Sequence, residues 1–152
     1  MGDNSIKSLL RIGDSAGPQK IGFLLLNQFS MIAFASALEP LRAATRQANK
    51  TLFEWVVASA DGHGSTASNG MLLKANTGIE ALQECRIVFV CAGLRVRENT
   101  DKAILNLIRR LDRNGAIIGA ICTGTYVMAA AGLLDDRRCT IHWEHIDGLS
   151  EE

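Results

Sequence analysis

Continuous apolar runs alternate along this chain with segments of helical periodicity. Residues 20–26 (KIGFLLL), 53–59 (FEWVVAS) and 87–91 (IVFVC) have the nearly unbroken apolar character of buried strands. Residues 32–50 carry a helical pattern interrupted by Pro40, which either starts the main helical run after a short turn or kinks a longer one. Ile104, Leu107, Ile108 and Leu111 fall at i, i+3, i+4 and i+7. That spacing predicts an amphipathic helix, capped near Asn99 or Thr100 and stopped at Asn114-Gly115. Asp61-Gly62 and Asn69-Gly70 are turn signals, and with the short apolar stretch 71–73 they predict a small hairpin or excursion. Residues 1–18 read as a polar leader, and 139–143 as the start of one more strand. The alternation predicts an α/β fold in one domain over residues 19–152, a mostly parallel sheet sandwiched by helices.

The most informative change of period lies between Gly115 and Gly124, GAIIGAICTG. Ala116, Ile117, Ile118, Ala120 and Ile121 form the run expected of a strand covered on both faces. From Thr123 to Ala131 the pattern is helical, and Gly132 is placed to end that helix in a left-handed conformation. A strand that turns directly into a helix, with Cys122 at the turn and small residues Ala120 and Gly124 beside it, has the pattern of a nucleophile elbow. The helix N-terminus would favour a thiolate or a bound anion there. The plainer reading of Cys122 is a small buried hydrophobe. In parallel sheets ligands bind beyond the carboxyl ends of the strands, so Phe29-Ser30, Gly93-Leu94 and Cys122-Thr123 are expected to cluster.

Composition narrows the possibilities by exclusion. Sixteen basic and sixteen acidic residues cancel, so the whole-chain charge carries no nucleic-acid footprint. The pairs Arg109-Arg110 and Arg137-Arg138 read as solvated helix and turn positions. No apolar run approaches the roughly 20 residues that a membrane-spanning helix needs, and the first residues lack the apolar core of a secretory signal. A cytoplasmic location follows as an expectation. Cys85, Cys91, Cys122 and Cys139 contain no C-x-x-C pair, which suits reduced thiols. Cys139, His142 and His145 have the spacing C-x-x-H-x-x-H, but on an extended strand residues three apart face opposite ways, so no metal site is expected.

Five segments carry a family resemblance: IGFLLLNQFS from Ile21, ALEPLRAA from Ala37, ASNG from Ala67, GAICTGTYVMAAAGLLD from Gly119 and CTIHWE from Cys139. On these the chain resembles the class I glutamine amidotransferase-like superfamily, which includes the PfpI-type proteins and has a flavodoxin-like architecture. It is most similar to the N-terminal sensor domains of AraC-type transcriptional regulators, in the subgroup that activates catabolism of arginine, carnitine and glycine betaine. The resemblance implies a cytoplasmic effector-binding domain, working as a homodimer without a cofactor. It would meet DNA only through a C-terminal helix-turn-helix domain that this chain does not include. The chain ends at Glu152, earlier than such sensor domains end, so a truncated piece of a longer regulator is expected.

The expected ligand-binding residues are Phe29, Ser30, Gly93, Leu94, Cys122, Thr123, Gly124, His142 and Trp143. In the alternative reading, a cysteine-dependent hydrolase or amidase, Cys122 would be the nucleophile and His142, twenty residues later, its base. PfpI-like enzymes place a glutamate against the elbow cysteine. The matching position here is near Ala33, which has no carboxylate, and the next acid, Glu39, reads as a helix-surface residue. The subgroup resemblance also suggests that Trp143, with Phe29 and Glu144, forms a wall for a cationic effector whose carboxylate meets Thr123 and Gly124 at the helix start. Core packing of Trp143 is the competing reading.

Overall fold

A computed structural model describes residues 17–143, and the structural statements below concern those residues. The predicted leader, Glu144 and His145 therefore lie outside the described residues, apart from Gly17 and Pro18. The order of elements is β1 (Gln19–Leu25), α1 (Met31–Gln47), β2 (Phe53–Ser59), β3 (Ser65–Thr66), β4 (Leu72–Leu73), β5 (Thr77–Gly78), a 3₁₀ turn (Ile79–Glu84), β6 (Ile87–Cys91), α2 (Lys102–Arg113), β7 (Ile117–Ile121) and α3 (Gly124–Ala130). Five strands form one sheet in the order β5-β2-β1-β6-β7, and every pairing in it is parallel. β3 and β4 pair antiparallel as the small hairpin, closed through the Asn69-Gly70 turn.

Strand β1 explains the continuous apolar signal. Ile21, Phe23 and Leu25 enter one core with Phe34, while Leu24 and Leu26 enter the other with Val88, Val90, Leu107 and Ile108. Both faces of the central strands are thus covered, and a period-2 polar alternation has no place in them. The α1 side is tied by aromatic contacts: Phe34 meets Phe23 at 5.4 Å and Phe29 at 5.9 Å, edge to face in both cases. On the other side, α2 buries the predicted stripe Ile104, Leu107, Ile108 and Leu111.

Three expectations need correction. The α2 cap is Asp101, whose carboxylate accepts from Ile104 N at 2.9 Å; Asn99 and Thr100 instead bond back to the Arg95 and Val96 carbonyls. Strand β7 is an edge strand whose five residues are all half-buried, so its apolar sequence does not reflect full cover on both faces. No strand forms over 139–143. The Thr140 carbonyl there is taken by the Thr125 hydroxyl at 2.7 Å, which holds this segment against α3. Helix α1 runs unbroken through Pro40, which settles that ambiguity in favour of one long helix. Arg109 is an exposed helix position, as expected, and it also donates to the Ala130 and Ala131 carbonyls at the C-terminal end of α3.

The sheet order reverses direction between β1 and β6: the chain moves outward from β1 to β2, then crosses to β6 and β7 on the other side. Such a reversal opens a crevice at the carboxyl ends of the two central strands. Gly93 makes the junction possible. An added Cβ at this position would collide with the Gln28 carbonyl oxygen and with the main chain of Phe29 and Ser30. Gly93→Ala is therefore expected to destabilise the fold by about 2 kcal/mol, and thermal melting should show a loss of several degrees. An unchanged melting temperature would mean that the junction gives way easily.

Candidate functional site

Each of the three strands around the crevice ends in a turn with a left-handed residue that is not glycine: Gln28 after β1 (φ 63°), Arg95 after β6 (φ 52°) and Cys122 after β7 (φ 59°). Such a conformation costs an L-residue on the order of 1 kcal/mol, and it collects at functional sites when the surroundings enforce it. At Cys122 the strain and the elbow pattern coincide. Gly124 follows because an added Cβ there would strike the Val90 carbonyl. The elbow read from the sequence is present in the backbone.

The three turns are laced together by main-chain bonds. Phe29 bridges to Ala67 on one side and to Gly93 on the other. Leu94 N donates to the Gln28 carbonyl at 3.0 Å, and Ser68 N to the Phe29 carbonyl at 2.9 Å. The buried Thr123 hydroxyl donates to the Gly93 carbonyl at 2.7 Å, which locks the β6 turn to the elbow. The Ser30 hydroxyl accepts from Ala33 N as the cap of α1.

Beside this lacing lies a half-open cavity of about 140 Å³, lined by Ser30, Ser68, Gly93, Leu94, Cys122, Thr123 and His142. Six of the nine residues expected to bind ligand meet there. Three do not: Phe29 is fully buried beneath the cavity, Gly124 is packed against Val90, and Trp143 is 72% exposed, beside His142 but outside the lining. Its exposure means that core packing does not describe Trp143. The reason lies in the chain path, since the 139–143 segment is pinned to α3 at Thr140 instead of entering the sheet. Ser68 was not singled out from sequence. Only the pairing of residues 66–68 with 28–29 brings it to the rim, and ASNG alone carries no such signal.

Three residues with hydroxyl side chains (Ser30, Ser68 and Thr123), a thiol, an imidazole and backbone groups line the cavity, with no Asp or Glu among the described lining residues. Ala33 lies in the first turn of α1, and Glu39 is exposed and ion-paired with Arg42 on the helix surface, where that guanidinium holds its carboxyl below the usual range. Glu39 is therefore a surface residue. Cys91 is fully buried in the core, and burial pushes its thiol far up; Cys85 is raised for the same reason, while Cys139 is exposed. No group of three or more metal-ligating side chains occurs among the described residues.

A model of the DJ-1/PfpI family matches residues 19–152. The HTH-type transcriptional regulator CdhR of Pseudomonas aeruginosa is 46% identical over 133 residues, which are 88% of this chain and 39% of CdhR, so the chain spans about two-fifths of that regulator's length. An isonitrile hydratase of Pseudomonas putida is 34% identical over 85 residues, 55% of this chain and 37% of the hydratase. The crystal structure of an AraC family transcriptional regulator from Pseudomonas putida superposes with a TM-score of 0.78 at 31% identity, covering 88% of this chain and 72% of that one.

Two measurements check this geometry. Brief alkylation followed by peptide mapping should label Cys122 and Cys139 well before Cys85 and Cys91, because only the first pair is accessible; labelling of Cys122 no faster than Cys91 would place it in the core. Thr125→Val removes the bond to Thr140, and should loosen His142 while lowering stability by about 1 kcal/mol. Nuclear magnetic resonance of the His142 ring would show the loosening, and an unmoved signal would mean that the segment is held elsewhere. The elbow, the all-parallel sheet and the matched span together place this chain in the DJ-1/PfpI family, among domains like those of AraC-family transcriptional regulators.

Proposed function

We propose that this domain is the effector-sensing part of an AraC-type transcriptional regulator, and that its effector occupies the cavity at the Cys122 elbow. The observation that carries the proposal is the 46% identity to CdhR across 88% of the chain. The site's chemistry supports it. Nucleophilic catalysis needs a tuned thiol and a proton path; the position that the resemblance matches to the PfpI-like acid falls near Ala33, which has no carboxylate. Binding needs only a fixed shape with a few placed polar groups, which Ser30, Ser68, His142 and the Gly93 and Thr123 turns provide.

The cavity has a volume of about 140 Å³ and opens to solvent, so it would seat the polar end of a small metabolite, amino-acid-like or a small quaternary amine. Occupancy would reach DNA through a domain outside this chain, in a cytoplasmic homodimer. No helix among the described residues is long and apolar enough to cross a membrane, which accords with that location.

The retained strain at Cys122 and the partial match to an isonitrile hydratase favour a second reading, a cysteine-dependent enzyme. One experiment separates the two. In a thermal-shift screen of arginine, carnitine and betaines, a ligand at a hundred times its Kd should stabilise the domain by about 2.7 kcal/mol. Cys122→Ser should change that affinity with no turnover to lose. Amide, ester or isonitrile hydrolysis that disappears in Cys122→Ser would replace the sensor with the enzyme.

A further inference from the structure

Two of the three hydroxyls that line the elbow cavity sit side by side. Phe29 and Ala67 form a parallel bridge, and both are fully buried. Successive side chains of an extended chain point to opposite sides, so the next pair along, Ser30 and Ser68, turns away from the core on a common side, and both residues line the cavity. Neighbouring extended segments lie roughly 5 Å apart, a span that the two oxygens of one carboxylate can bridge.

Hydrogen-bond accounting sets the kind of group this pair can hold. The Ser30 oxygen accepts from Ala33 N at 3.4 Å, and the Ser68 amide donates to the Phe29 carbonyl at 2.9 Å. Neither hydroxyl proton has an acceptor among the described residues. The third hydroxyl of the wall, that of Thr123, is already spent on the Gly93 carbonyl. Two unspent O–H donors therefore face the cavity, while no Asp or Glu lines it to pair with an ammonium group. A carboxylate would gain charge-assisted O–H···O⁻ bonds, which are roughly twice as strong as bonds between neutral groups. The open side of the cavity leaves the rest of such a molecule in water.

We infer, on the reading that this cavity holds the effector, that Ser30 and Ser68 are its specificity-determining residues and that they grip the effector by a carboxylate. Ser30 is also the cap of α1, so the same contact reaches the helix that Phe34 anchors to Phe23 and Phe29.

Calorimetric titration of the 152-residue chain tests this with acids and counterparts that lack the carboxylate: arginine against agmatine, and glycine betaine against choline. At least one acid is expected to bind, and its counterpart to bind about tenfold more weakly. Ser68→Ala should weaken the acid about fivefold and leave the counterpart unchanged, which a merely structural role would not do; Ser68→Thr keeps the hydroxyl and should restore most of the affinity. Ser30→Asp retains a cap for α1 but sets a negative charge against the carboxylate, so the acid should bind more than about tenfold more weakly, with melting curves checked for intact fold. A counterpart that binds as tightly as its acid, or an acid affinity unchanged in folded Ser68→Ala and Ser30→Asp, would overturn the inference and leave the sensor reading standing. Failure of all four compounds to bind at millimolar concentration would remove the inference together with the reading on which it rests.

Discussion

The three central turns can meet only because the chain has no side chain at Gly93. Its backbone lies against the Gln28 carbonyl and the Phe29 main chain, and a methyl group there would push the β1 and β6 turns apart. With the turns in contact, Phe29 bridges to both neighbours, Leu94 bonds to Gln28, and the Thr123 hydroxyl reaches the Gly93 carbonyl. The elbow cavity is a boundary of this one junction, with Gly93, Leu94, Thr123 and Ser68 in its lining.

The junction stores strain that the sheet must offset. Left-handed Gln28, Arg95 and Cys122 together cost a few kcal/mol. Against that stand two cores, one on each face of β1, with Phe23, Leu24, Leu25, Ile108 and Leu111 almost wholly out of water. Burial of one such side chain contributes on the order of 2 kcal/mol, so a handful of core residues outweighs the three strained turns. The strain is local and the restoring contacts are spread out, which keeps the elbow rigid.

How far the sequence foretells this arrangement depends on whether the signal is local. Strands β1, β2 and β6 and helix α2 are legible because burial on both faces, or on one helical stripe, writes itself into adjacent residues. The elbow is legible because a sharp turn needs small neighbours, here Ala120 and Gly124. Apolar content alone misleads at β7, since an edge strand and a central strand can have the same run of Ile and Ala. It misleads again at 139–143, whose β-prone residues lie against α3, where the Thr125 hydroxyl bonds to the Thr140 carbonyl. The place of Ser68 in the elbow cavity depends on loops from distant parts of the chain, and no spacing rule reaches across them.

Binding and catalysis would make different demands on the elbow, and that difference bears on which the domain performs. The strained turn, the Thr123 lock and the Ser30 cap fix the positions of polar groups before any ligand arrives, and such preorganisation strengthens binding by lowering its entropic cost. An enzyme needs this and also a group that changes protonation as the reaction proceeds. In the segment after β1, where PfpI-like enzymes place that carboxylate, the chain instead begins α1 with Met31, Ile32, Ala33 and Phe34 and has no acid in the first turn. The cap of that helix faces the cavity while Phe34 anchors it to Phe23 and Phe29 below. In the sensor reading proposed above, a helix seated in this way would couple what fills the cavity to the packing of the sheet, through contacts that require no chemistry at Cys122.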